Sequence, residues 1–337
     1  MSSVLFLKNY LYTHEVSIKS LADFCGMKSS TLTDYYKEHL SDFRSWNQIS
    51  HSDDYIYFTY NLDESISIDE TAFSNGELYT IITNKDGHGK KGTLVAMIRG
   101  TKAEEVCKRL NKIPEGRRKK VRNITLDMAG SMYQIAKKCF PNATQTIDRF
   151  HVQKLMLEAL QDLRIQYRWN VMEQENDEIR KAKIRNIEYK AKRFYNGDTL
   201  KQLLARSRYL LFKSPEKWTK SQKQRAYILF SEFDDIKQFY YLALQLGKIY
   251  SLKISHDAAR LKLALWFNKV EQWGYPQFNT VINTFKQHYE RILNFFNNRL
   301  TNASAESFNA KLKGFRATFR GVDDVRFFLF RVAKLYA

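Results

Sequence analysis

Three short segments of this chain share one local pattern: Ser67-Ile68-Asp69, Thr125-Leu126-Asp127 and Thr146-Ile147-Asp148. In each, apolar residues alternate with polar ones and the aspartate falls where a β-strand should end. Parallel strands joined by right-handed crossovers finish on one edge of a sheet, and open α/β sheets gather their ligands at that edge. Two or three carboxylates would therefore meet there. Such a cluster repels itself unless a cation neutralises it, and hard oxygen donors suit magnesium. Taken singly, each aspartate is also a good turn residue or helix N-cap. The pattern alone leaves both readings open. No G-x-S-x-G, no Walker-type glycine loop and no suggestively spaced Cys–His pair offers a protein nucleophile instead. The stretch Gly87-His88-Gly89-Lys90-Lys91-Gly92 lies between strand-like segments and opens no helix, so it reads as a hairpin turn.

The elements that must position these acids fall into three regimes. Residues 1–60 are short and helical, closing on the aromatic, strand-like stretch Tyr55–Tyr60. From about 65 to 150 the strand candidates SISID, LYTIITN, TLVAMIRG, ITLDM and TQTID alternate, toward the end, with the amphipathic segments TKAEEVCKRLNKI and SMYQIAKKCF. Hairpin-type strands followed by β-α-β-α-β predict an α/β fold with a mixed sheet. From about 151 to 300 no convincing strand occurs; amphipathic helices are punctuated by NGD at 196–198, SPEKW at 214–218 and WGYP at 273–276. A last helix begins near Ser304, which can act as its N-cap.

Charge indicates the partner. The chain of 337 residues carries 55 Lys and Arg against 36 Asp and Glu, a net +19, and such a field concentrates polyanions. Residues 1–60 net −2, so the remainder holds +21. No run of about 18 apolar residues exists to cross a bilayer, and the first residues do not read as a signal peptide. Cys25, Cys107 and Cys139 form neither a disulfide framework nor a C-x-x-C site. The expectation is a reducing, cytoplasmic setting, with no membrane and no structural zinc.

The stretches SIDETAF at 67–73, TLDMAGSMYQIAKKCFPNATQTIDRFHVQKL at 125–155 and TNASAESFNAKLKGFRATFRG at 301–321 resemble insertion-sequence transposases of the ISL-three family. The likeness covers nearly all of 65–337 and is weaker between the second and third blocks. It implies a ribonuclease H-like fold: a mixed five-stranded sheet with a large all-α insertion, preceded by a small helical segment. It also implies a catalytic and metal-binding triad of Asp69, Asp127 and Glu306. Two magnesium ions, replaceable by manganese, would activate a water and then a DNA 3′-hydroxyl. The residues agree with that choice. Strands bearing Asp69 and Asp127 would be neighbours, about 4.8 Å apart, whereas Asp148 lies one strand further out and would stand behind the ligands. Ala305, Phe308, Leu312 and Phe315 form an apolar stripe, and off it Glu306, Asn309 and Lys313 share a face, suiting one ligand beside a phosphate contact. His151 follows the third strand closely enough to touch the site, though a lone histidine is more often structural.

The expected organisation is an N-terminal segment at 1–60, a catalytic domain of 61–155 with 291–337, and a helical insertion at 156–290. Residues 17–40 resemble a helix-turn-helix, with a turn at Gly26 and Ser29 capping the second helix, which would offer Ser29, Ser30, Thr31, Asp34 and Lys37 to a major groove. The net −2 of residues 1–60 suits a packing or dimerisation module nearly as well. Longer family members look to carry a cysteine-rich zinc segment that is missing here, so either the chain is a shortened form or a separate polypeptide recognises element ends. Segment 149–225 carries 19 basic and 9 acidic residues, among them Arg180, Lys181, Lys183 and Arg185, and with Lys90 and Lys91 these are candidate DNA contacts. Trp169, Trp218, Trp266 and Trp273 lie in the insertion, where core packing outweighs base stacking. The family implies terminal inverted repeats and target DNA as substrates, a dimer or larger assembly on DNA, and a bacterial, nucleoid-associated protein. Two other functions fit the same residues: a ribonuclease H-like nuclease without strand transfer, and a transposase-derived DNA-binding regulator.

Overall fold

The computed structural model describes residues 3–73, 76–319 and 324–337. Two compact units emerge, the first formed by Met1–Asp148 with Leu300–Ala337 and the second by Arg149–Arg299. The first opens with helices α1 (Ser3–Thr13), α2 (Ile18–Phe24) and α3 (Ser29–Tyr35), the last running into a π-helical turn at Tyr36–Leu40. Strands β1 (Tyr55–Tyr57), β2 (Ser65–Ala72), β3 (Leu78–Asn84) and β4 (Leu94–Arg99) follow, then α4 (Ala103–Leu110), α5 (Glu115–Arg118), β5 (Asn123–Leu126), α6 (Gly130–Cys139) and β6 (Thr144–Ile147). The six strands form one mixed sheet in the order β1-β4-β3-β2-β5-β6. β2, β5 and β6 are parallel; β3, β4 and β1 join by antiparallel pairing. This is a ribonuclease H-like arrangement with a helical insertion. The alternating segments at 65–147 become β2 to β6 because their apolar residues, such as Ile66, Ile68, Ile82, Val95, Ile124 and Leu126, are wholly buried.

The sheet has one strand more than the five implied by the sequence. Tyr55–Tyr57, strand-like in its residues yet expected to close the N-terminal segment, pairs with Ala96–Ile98 of β4 and extends the sheet. The Gly87–Gly92 stretch does turn the chain between antiparallel β3 and β4. A Cβ on Gly87 would lie 2.4 Å from the Thr93 hydroxyl, so only glycine fits that close crossing.

The second unit is built of helices apart from an isolated bridge between Arg193 and Thr199, with α7 (Arg149–Ile184), α8 (Leu200–Arg206), α9 (Lys220–Glu232), α10 (Asp234–Ser251), α11 (His256–Trp273), α12 (Asn279–Leu293) and α13 (Phe295–Asn298). α7 begins at Arg149, immediately after the third aspartate. The sequence breaks mark real turns. Thr199 and Thr219 build capping boxes with Gln202 and Gln222, and Gly274 ends α11 in the left-handed conformation at φ 63°. Asp198, fully buried beside Gly197, pairs with Arg206 and with Arg225 Nε at 2.8 Å. Burial alone would raise its pKa, but these guanidinium bonds hold it below the usual carboxylate range. Trp266 is buried and donates to the Leu242 carbonyl, and Trp218 stacks on Tyr240. Trp273 sits edge-on to Phe239. Trp169, in contrast, is 60% exposed.

The chain returns to the first unit through α14 (Ala303–Ala317) and α15 (Val325–Tyr336). α15 was not expected from the sequence; Phe327–Ala333, Leu335 and Tyr336 are all buried, so the core takes most of this helix. It is central to a core that also takes Leu32, Tyr36 and Phe43 from the N-terminal segment, Ile81 and Met97 from the sheet, and Phe308 and Leu312 from α14. Two expected caps are also corrected. Ser304 lies inside α14, whose N-cap is Asn302. Ser29 is the first residue of α3, and Lys28 occupies the cap position without a side-chain bond. In α14 the entering backbone is held from outside the helix, so the helix can begin before its serine.

Candidate active site

Register aligns the strand residues that lead to the three aspartates. Ser67 of β2 pairs with Thr125 of β5, and Thr125 pairs with Thr146 of β6. Two residues further on come Asp69, which lies inside β2 and not at its end, and Asp127 and Asp148, each one residue past the end of β5 or β6, with the Asp148 N–H still donating to the Leu126 carbonyl at 3.2 Å. Asp69 and Asp127 are half-buried and Asp148 is buried. The backbone supports the first two: Asp69 Oδ1 accepts from the Glu70 N–H and Asp127 Oδ1 from the Ala129 N–H, both at 2.8 Å.

Helix α14 packs on β2. Ala305, Phe308, Leu312 and Phe315 turn into the core, as their spacing requires. Glu306 stands half-buried on the first turn, and one turn on, Asn309 donates from Nδ2 to Asp69 Oδ2 at 2.6 Å. Its other amide atom, Oδ1, is buried without a hydrogen-bond partner. The far end of the helix is tied down by Arg316, which forks onto Glu77 at 3.0 and 2.8 Å. The near end is held by Asp148, whose carboxylate accepts from the backbone N–H of Asn302.

Two residues beside these acids, Glu70 and Lys85, were not among the sequence candidates. Glu70 takes a hydrogen bond from Ser131 at 3.2 Å, at the first turn of α6. Burial pushes its pKa up, the Ser131 bond opposes this, and the neighbouring charges of Asp127 and Asp69 raise it further. Lys85 leaves the end of β3 and turns beneath the site. Its Nζ donates to Thr125 Oγ1 at 2.8 Å, to Ser67 Oγ at 3.2 Å and to the Thr301 carbonyl just before α14. Burial lowers its pKa to about 8 against the opposing pull of Asp148 and Asp86. Glu70 could have been noticed as the acid beside Asp69; Lys85 could not, because its partners lie 18, 40 and 216 residues away.

The remaining candidates are dispersed. Lys313 is exposed on α14, and Lys90 and Lys91 are exposed in the β3–β4 turn. His151 lies on α7, in the helical unit. Arg180, Lys181, Lys183 and Arg185 are exposed at the end of α7, with Arg180 3.5 Å from Asp177. Ser30 and Thr31 are exposed on α3, whereas Lys37 is engaged by Asp324 at 2.6 Å and lies over the Phe327 ring. Among the described residues, no group of three or more His, Cys, Asp or Glu side chains is gathered closely enough to hold a metal ion as it stands. No helix among them is long and apolar enough to cross a membrane.

A family model for DDE transposases of the ISL-three type, described as a transposase, matches residues 66–332, from β2 into α15. No curated protein matches the chain.

Proposed function

Because the chain belongs to the ISL-three DDE transposase family, we propose that it cuts DNA at the ends of a mobile element and joins those ends to a target, with Asp69, Asp127 and Glu306 as its metal-binding carboxylates. What supports this is the pairing of Ser67 with Thr125, two residues before Asp69 and Asp127, on parallel β2 and β5, together with the bond from Asn309 of α14, the helix that bears Glu306, to Asp69. The donor set suits a hard divalent cation. It is all oxygen, and the pKa of Glu70, raised first by burial, is raised further by the carboxylates around it. Magnesium bound there would supply Lewis-acid activation of the attacking oxygen and charge stabilisation at the leaving one.

The chain's own groups have distinct tasks. Asp69 and Asp127, braced by backbone N–H bonds, offer fixed oxygens from the sheet, and Glu306 offers one from the helix. Asn309 orients Asp69 by donating to Oδ2. Asp148 acts behind the ligands. Lys313, Lys90 and Lys91 are placed on exposed surface of this unit to meet phosphates, and the basic end of α7 offers a second set. The N-terminal helices can present Ser29, Ser30 and Thr31 to DNA, with Lys37 held instead by its ion pair. The catalytic domain would comprise 61–155 with 291–337, flanked by the segment at 1–60 and interrupted by the insertion at 156–290. A pair of chains, or a separate end-recognition polypeptide, would bring two element ends together, in the bacterial cytoplasm on nucleoid DNA.

Purified protein, magnesium, labelled inverted-repeat DNA and a target plasmid test this directly, with Asp127→Ala as the control. Joined products that vanish in the variant are expected. Cleavage without joining would point to a ribonuclease H-like nuclease, and binding without either would leave a DNA-binding regulator.

A further inference from the structure

The three-residue neck Leu300–Asn302, from which α14 departs, is gripped from two sides. Lys85 Nζ donates to the Thr301 carbonyl, and the Asp148 carboxylate accepts from the Asn302 N–H. Both grips rest on the hydroxyl row beneath the aspartates. Lys85 also donates to Ser67 and Thr125, which bond to each other at 2.8 Å, while Asp148 is two residues beyond Thr146 in the same row. Ser67, Thr125, Asp148 and Asn302 are all buried. Lys85, Ser67 and Thr125 satisfy one another, whereas buried Asn302 is gripped through its backbone N–H alone, its side-chain amide having no hydrogen-bond partner. A simple apolar contact would fill this space without fixing where α14 begins. Glu306 is sensitive to that starting point, because its backbone N–H closes the first helical turn on the Asn302 carbonyl at 2.8 Å.

We propose that Lys85 and Asp148 form a clasp that sets the position of Glu306 relative to Asp69 and Asp127, acting as positioning residues and not as ligands. The functional half of this rests on the carboxylate triad proposed above; the structural half does not. A hydrogen bond to the helix entry fixes the translation of α14 along its axis, and Asn309 on Asp69 fixes its rotation. Loosening the clasp frees the first turn while leaving the apolar stripe of α14 in the core. Binding of DNA through the basic surfaces would be untouched, and the third carboxylate would no longer be preorganised.

Amide hydrogen exchange on the full-length chain provides a readout independent of activity. In Lys85→Met, exchange at Glu306 and Ser307 should accelerate about tenfold or more, while Ile124 in β5 keeps its wild-type rate. Asp148→Ala should do the same, and Asp148→Asn, whose amide oxygen still accepts from Asn302, should restore slow exchange. In the cleavage assay, Lys85→Met should raise the half-saturating magnesium concentration by about 10–100-fold without weakening DNA binding. Unchanged exchange at Glu306 in both Lys85→Met and Asp148→Ala overturns the clasp, whatever the enzyme does. If Lys85→Met does not fold, the Ala and Asn variants at 148 decide. Wild type that never cuts DNA would instead sink the triad, while the exchange rates would still decide for or against the clasp. An unshifted magnesium requirement beside accelerated exchange would reduce the clasp to a structural fastening and overturn its positioning role.

Discussion

Single residues in this site are coupled closely enough that conservative changes should be informative. Glu306→Gln keeps the size and the helix but removes the charge. It should lower DNA cleavage by about 10²–10³-fold, with DNA affinity retained, in single-turnover assays. Lys85 makes a second prediction through its proton. Its ordinary pKa is 10.5 and burial lowers it to about 8 in the folded chain. Between those values the unfolded chain binds the extra proton, so stability should rise with pH across that window and stay flat below it. Urea unfolding of wild type and Lys85→Met would show wild type gaining on the variant between pH 8 and 10.5; a constant or falling difference would contradict the burial. The acids were legible in the sequence because strand alternation and a shared tripeptide point to one edge. Lys85 was not, since nothing local tells a lysine at a strand end that two hydroxyls on neighbouring strands will meet it.

Elements were legible where burial is one-sided and illegible where it is complete. β2 to β6, α4, α6 and α14 show their period because one face meets water or a second layer. α15 is buried over most of its surface, with Phe327, Phe328, Leu329, Phe330, Arg331 and Val332 consecutively buried. Arg331 is fully buried; it donates from Nη2 to the His14 and Val16 carbonyls, and burial lowers its pKa to about 10. The helix thereby links the N-terminal helices to the sheet. Phe330 touches Tyr12, Phe43 and Trp46. Phe330→Ala should therefore cost about 3–5 kcal/mol in urea denaturation. A chain lacking residues 1–50 should expose that apolar surface and bind a hydrophobic dye or precipitate, in contrast to a freely tethered DNA-binding arm, whose loss would leave the catalytic unit soluble.

For the molecule as a whole, net charge bears on DNA affinity more than any one side chain does. With +19 overall, DNA binding should weaken steeply with salt. Replacing Arg180, Lys181, Lys183 and Arg185 by glutamine should flatten the slope of log affinity against log salt by roughly 0.9 for each phosphate no longer neutralised. A slope unchanged in filter-binding titrations would remove the end of α7 from the DNA path. Composition made this charge visible, but which exposed lysines lie along a duplex depends on surfaces that no sequence period encodes.

The bond between Asp148 and the backbone of Asn302 closes the doorway through which 151 residues leave and re-enter the first unit. Chain that departs and comes back at a single stitched point is topologically a side branch. A short glycine-serine bridge spliced between the stitched residues should leave the sheet able to fold, much as surface insertions are tolerated where their ends already touch. Evolution could trade one such branch for another while the carboxylate edge is inherited intact.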